Sequence, residues 1–256
     1  MPSLVGIITA YINGLRTNHQ CDAACIRLAY VMHMAASGLL LIPLDALVTT
    51  RMADVISARP IIVHSHLRWD FAWQRPQQLF SRFAHSRDVL YVEEPQFFDD
   101  VVKAVVDRSE PHFNVHRIIP RLPSAYRDSE SATLTTVRAL LLDLVSATGE
   151  LPHRFDTPIQ WFFTPMPAPT MLGAFGEGAV VYDCMDDVAP QRFAPVERAP
   201  RERFLLARAD VVFSSSRVLA DASWDNITSE MTMLMEEAVA TRRFNATVKY
   251  LRRRLQ

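Results

Sequence analysis

Between Pro60 and Leu219 the sequence predicts an α/β chain: a mostly parallel sheet wound on both faces by helices. Three observations carry this. Short apolar and β-branched runs recur along the segment: PIIVHSH, DVLYVEEP, FNVHRIIP, PIQWFFTP, GAVVYDC and ADVVFSSS. They are continuous rather than alternating, the pattern of strands buried on both faces. Stretches with helical apolar spacing separate most of them, at the distances of βαβ units.

The elements follow in order. PIIVHSH is the first strand, and RPQQLFSRFAHS is the helix after it. Pro76 suits that helix's first turn, and Leu79, Phe80 and Phe83 form its apolar face. DVLYVEEP is a strand stopped by Pro95, and FNVHRIIP is a third. SATLTTVRALLLDLVSAT is an amphipathic helix with Leu140, Leu141 and Leu144 inward, ending near Gly149. PIQWFFTP and GAVVYDC are strands, ERAPRERFLLARAD is helical, and ADVVFSSS closes the series. The domain boundaries predicted are 1–59 for an atypical, partly helical extension, 60–219 for the sheet domain and 220–256 for a helical tail.

The two ends differ from the middle. LAYVMHMAASGLLLIPL, from Leu28 to Leu44, falls short of the roughly 20 apolar residues of a membrane span and contains Pro43, Gly38 and His33. A buried helix is one reading, and a membrane anchor or poorly cut signal is the other. The opening MPSLVGIITAYI has no basic leader, so a secretory signal is not expected. In the tail, Phe244, Val248, Leu251 and Leu255 recur at helical spacing, flanked by Arg242, Arg243, Lys249, Arg252, Arg253 and Arg254 without an acid. A solvated helix face and peripheral contact with an anionic membrane through 242–256 are both open.

Composition excludes some functions. With 27 Lys and Arg against 28 Asp and Glu, the net charge of −1 gives no general attraction to nucleic acid. Three cysteines, Cys21, Cys25 and Cys184, make neither a disulfide framework nor a zinc site, which fits a reducing, cytoplasmic setting. The 7 glycines form no G-x-G-x-x-G fingerprint and no P-loop.

In an open parallel sheet, ligands bind outside the carboxyl ends of the strands. Three sequences should meet there: HLRWDFAWQRPQ, FTPMPAP and DCMDD. Arg68 and Arg75 can fork onto phosphate or carboxylate oxygens. Trp69 and Trp73 can stack on a sugar or isoprenoid face, with Gln74 and Thr164 as further substrate contacts. The competing reading has the tryptophans capping the sheet and the arginines paired with Glu93, Glu94 or the aspartates. Asp183, Asp186 and Asp187 can orient or deprotonate a hydroxyl, because clustered carboxylates raise one another's pKa. As metal ligands they would take a hard Mg²⁺ or Mn²⁺, the basis of a third reading as a metal-dependent phosphate enzyme. His64 and His66 alternate at a strand end, so at most one faces the cleft.

Taken together, HSHLRWDFAWQRPQQLFSRFA, VLYVEEP, IQWFFTPM, VVYDCMDDV and LLARADVVFSSSRVL resemble the N-terminal half of bacterial two-domain GT-B glycosyltransferases. They are most similar to the group-one, teichuronic-acid-biosynthesis-like proteins. RWDFAWQRPQ and YDCMDD are the specific strings; the rest match at the level of fold. The resemblance implies a Rossmann-like domain that binds the acceptor, a glycan or lipid-linked species of the cell envelope. A second such domain would hold the nucleotide-sugar, with no obligatory metal and no cofactor. It implies a cytoplasmic location, with contact at the inner membrane face. On this basis Arg68 and Arg75 offset diphosphate charge, Asp183 or Asp186 serves the acceptor hydroxyl with His66 as second base, and Trp69 and Trp73 form the acceptor platform. Asp187, Gln74 and Thr164 contact substrate. SWDNITSEMTMLMEEA resembles the family's closing helix, so the chain reads as internally shortened, without the donor domain. Two expectations follow: an enzyme in shortened form, whose donor half a separate chain could supply, or a non-catalytic acceptor- or partner-binding remnant.

Overall fold

The computed structural model describes residues 59–152, 154–184, 196–214 and 223–254, with side chains in the last segment described as far as Arg242. The apolar stretch 28–44 and the remainder of 1–58 lie outside the described residues, as do Asp186 and Asp187 and the side chains of the 243–256 basic run.

The strands are β1 (Ile61–His64), β2 (Val89–Val92), β3 (Gln96–Phe98), β4 (Val105–His112), β5 (Val115–Pro123), β6 (Ile159–Phe162), β7 (Ala179–Cys184) and β8 (Val211–Ser214). The helices are α1 (Arg75–Phe83), α2 (Glu130–Val145), the short α3 (Ala168–Met171), α4 (Arg198–Leu206) and α5 (Trp224–Arg254). One sheet holds all eight strands in the order β3-β5-β2-β1-β6-β7-β8, with β4 on β5. Every pairing is parallel except β4 with β5. With the β3 and β4 additions set aside, the order β5-β2-β1-β6-β7-β8 is the 3-2-1-4-5-6 order of a Rossmann-like fold. The direction of winding reverses between β1 and β6, and that switch point is where such folds leave a crevice.

Alternation along the strands separates two cores. Ile61, Val63, Tyr91, Trp161, Val181 and their neighbours face α1 and α5, which contribute Leu79, Phe80 and Phe83, and Ile227, Met231, Met235 and Val239. Ile62, Leu90, Phe162, Val180 and Tyr182 face α2, α3 and α4. Burial on both faces explains the unbroken apolar runs. In α2 the inward stripe is Thr133, Val137, Leu141 and Leu144. Leu140, expected inward, is only half-buried, because the 3.6-residue repeat gives the seam to Val137. After α2 the chain turns through Gly149, whose amide donates to the Ser146 carbonyl. A Cβ there would lie 2.1 Å from the Asp143 carbonyl oxygen, so the turn admits only glycine without moving.

The hairpin β4 was not legible in the sequence. VVDRSEPH is polar and mostly exposed, and β4 is held by its antiparallel ladder to β5 rather than by a buried face. Asn114, in the tight connection to β5, adopts φ 54° and donates from its side-chain Nδ2 to the Ala84 carbonyl.

The tail is a single helix whose stripe Ile227, Met231, Met235 and Val239 repeats every fourth residue and lies on the sheet. Arg82 of α1 donates to Asp225 at 2.6 Å, joining the two helices on that face. Arg242, expected in an acid-free basic face, pairs with Asp210 at 3.3 Å. The acid comes from the loop before β8, which tail periodicity could not reveal. Among the described residues, no helix is long and apolar enough to cross a membrane.

Candidate functional site

The segment after β1 is built by a few buried polar groups. Ser65 donates its amide to the Val92 carbonyl, and the Tyr91 hydroxyl donates to Ser65 Oγ at 2.8 Å. Gln77, buried within α1, accepts the Gln74 amide on Oε1 and donates Nε2 to the Trp69 carbonyl at 2.7 Å. Glu93, at the carboxyl end of β2, is a hub with a fully buried side chain. It accepts from the Trp69 amide (2.9 Å), Arg68 Nη1 (2.9 Å) and Arg117 Nε (2.8 Å). Arg117 also reaches Asp70. Loop residues 65–74 are therefore tied to β2 and β5 by charge-assisted bonds through Glu93, the stronger class, and to α1 by the amide bonds of Gln77.

Arg75 opens α1 and reaches across the face to β7. Its Nε donates to both oxygens of Asp183, at 3.2 and 3.0 Å. Asp183 is 0% exposed, and burial raises its carboxyl to about 6 even though Arg75 pulls it down. This contact runs through Nε, so the two Nη nitrogens of the fork make no bond to Asp183.

The predicted site residues differ in where the fold places them. Arg75 and Asp183, 108 positions apart in the chain, are in contact at one rim of the sheet. Arg68 stands on the same loop as Arg75, paired with Glu93, with 41% of its side chain exposed. His66 is half-buried just beyond β1; Thr164 is half-buried just beyond β6, its Oγ1 accepting the Met166 amide. Gln74 is exposed at the cap of α1.

Two expectations change. Trp69 is not part of an open platform: it is 5% exposed and packs edge-on to Tyr91 at 5.1 Å, because its amide and carbonyl are held inward by Glu93 and Gln77. Trp73, 59% exposed, keeps a free ring face and meets Trp69 edge-on at 6.3 Å. Asp183, expected to serve a hydroxyl, is sealed from solvent with both oxygens on Arg75, so it positions that arginine. Asp186 and Asp187 lie outside the described residues. Among the described residues, no three His, Cys, Asp or Glu side chains are placed to hold a metal ion.

His64 faces the opposite side from Arg75. It stacks on Phe162 at 4.6 Å, and its Nε2 lies 3.0 Å from Gln160 Oε1. Because Gln160 Nε2 is committed to the Met171 carbonyl, its oxygen faces the ring, and His64 must carry its proton on Nε2. Burial lowers His64 to about 4, so it is a neutral structural group.

Sequence reasoning missed the positioning roles of Gln77 and Arg117. The Pro-Gln-Gln opening of α1 was the available signal for Gln77; Arg117, inside the apolar run VHRIIP, gave only its charge at a half-buried strand position.

No family model matches the chain, and no curated protein matches it. A solved structure of "Trehalose-6-phosphate from E. coli bound with UDP-2-fluoro glucose" is similar at 12% identity, with a TM-score of 0.39. The match covers 60% of this chain and 39% of that one, so this chain spans well under half the length of that protein.

Proposed function

We propose that residues 60–219 are the acceptor-binding half of a GT-B-type glycosyltransferase of the group-one, teichuronic-acid-biosynthesis-like kind. In this reading 1–59 is an added extension and 220–256 a closing tail. The reaction moves a sugar from a nucleotide-sugar to a cell-envelope glycan or lipid-linked acceptor at the cytoplasmic face. One observation carries the reading: segments following β1 and preceding α1 meet the end of β7 at one rim, joined by Arg75 and Asp183. The acceptor oxygen bonds to the anomeric carbon, the diphosphate leaves with its electron pair, and the hydroxyl proton passes to His66 or Asp186. Arg75, aimed by Asp183, and Arg68 offset the diphosphate charge. Trp73 stacks on the isoprenoid part of a lipid-linked acceptor, with Gln74, Thr164 and Asp187 beside the acceptor's sugar.

The test is nucleoside diphosphate release by the full chain. It is given UDP-, GDP- and ADP-sugars with a lipid-linked acceptor fraction, and titration calorimetry runs alongside. Release that Arg75→Gln suppresses is the expected result. Absence of both binding heat and diphosphate release at millimolar donor would overturn the reading.

A second reading is favoured by the connection between β8 and α5. Residues 215–223 alone link the sheet domain to the closing helix, too few for a donor domain. The chain is then a binding module that recognises acceptor, or docks a separate donor-domain chain, and transfers nothing alone. Acceptor binding without diphosphate release would favour it.

A further inference from the structure

Phe71, Ala72 and Trp73 are three consecutive exposed apolar residues at the tip of the loop between β1 and α1. Phe71 is 82% exposed and Trp73 59%. Most other exposed large hydrophobics are scattered singly, which is ordinary for a protein surface. This pair is different because its projection is enforced. The Glu93 hub, the Gln77 clamp and the Phe71 amide bond to the Arg68 carbonyl hold the backbone on both sides. An aromatic tip on a floppy loop could fold back onto the protein; this one is held outward.

The surroundings select the occupant. Asp70 pairs with Arg117, and Arg68 and Arg117 with Glu93, while Glu94 also lies in the field of Arg68. With no unpaired cation among the described residues behind it, an uncharged Phe-Ala-Trp tip complements an uncharged, apolar medium rather than an anionic partner. The two rings offer about 300 Å² at ordinary aromatic side-chain areas, well below the roughly 800 Å² that each partner gives to a standard protein interface. They match instead the shallow entry of aromatic side chains into a headgroup and acyl boundary.

We propose that the Phe71–Trp73 tip inserts into a lipid surface, holding the sheet's carboxyl rim against the bilayer. This contact differs from one through the 242–256 basic helix: it depends on apolar area and survives salt and neutral lipid, which a polybasic contact does not.

The test is sedimentation of the full chain with phosphatidylcholine vesicles, with and without added phosphatidylglycerol, at low and high salt. Wild type should partition onto phosphatidylcholine in high salt. Phe71→Ser with Trp73→Ser should reduce partitioning at least about tenfold. Arg252→Gln, Arg253→Gln and Arg254→Gln together should leave it unchanged. Unchanged circular dichroism of the tip variant shows that it folds. Three outcomes overturn the proposal: no binding to neutral vesicles, binding only to phosphatidylglycerol that salt abolishes, or equal binding by the tip variant. Partitioning involves no sugar transfer, so a failed transferase assay beside intact tip-dependent binding would fault only the glycosyl-transfer reading.

Discussion

Replacing Asp183 with asparagine should remove a pH dependence from the stability of the fold. The carboxyl is 0% exposed and its folded-state value stands at about 6, against an ordinary 3.8. A raised acid binds its proton more tightly in the folded chain than in the unfolded one. The group therefore stabilises the fold fully below the unfolded value, and that contribution is lost as pH rises through about 6. The gap corresponds to about 3 kcal/mol, most of it between about pH 4 and 7. Asparagine has no proton to exchange, yet it keeps an acceptor for Arg75 Nε. Other carboxylates tilt the stability curve of both proteins equally, so the difference between wild type and Asp183→Asn isolates this one group. Urea unfolding of the full chain at a series of pH values, with m held common, measures it. Relative to the variant, wild type should lose about 3 kcal/mol as pH rises across that window. Parallel curves would refute the argument, meaning that Arg75 fully compensates the burial. A difference of opposite sign would mean that the ion pair outweighs desolvation.

Other consequences can be measured in the same way. Glu93→Gln breaks the hub that holds Arg68, Arg117 and the Trp69 amide; a loss of about 3 kcal/mol in urea and faster amide exchange across 66–74 are expected. Met235→Ala removes a fully buried side chain where α5 meets the sheet and should cost about 2–5 kcal/mol, read from the same transition. Gly149→Ala places a methyl 2.1 Å from a carbonyl oxygen, so a thermal scan should show a lowered midpoint, on the order of 1–3 kcal/mol of stability.

The fold was largely legible because burial on both faces writes itself into sequence as unbroken apolar runs. PIIVH, VLYV, IQWF and AVVY each became a strand in the parallel sheet. Strand β4 was not legible, since its ladder to β5 uses backbone groups that carry no side-chain signature. At the rim, pairing of Arg68 and Arg75 with Glu93, Glu94 or an aspartate was one of two readings the sequence allowed, but which partner each would take was not legible. A sequence shows that an arginine and an aspartate exist; only the β1-β6-β7 adjacency brings residues 75 and 183 within 3.0 Å. That a tryptophan could cap the sheet was foreseen, but which of the two turns inward was hidden. Two indoles four positions apart look alike on paper, and only backbone bonds to Glu93 and Gln77 turn one inward and leave the other in water.

Helix α5, which follows all eight strands, covers the same sheet face as α1, the first helix after β1. During synthesis, the part of this face that Ile227, Met231, Met235 and Val239 cover must therefore wait bare until α5 has emerged, well after every strand of the sheet. A ribosome stalled before Trp224 would release a half-finished core with a sticky side, the kind of species that chaperones retain and proteases find first.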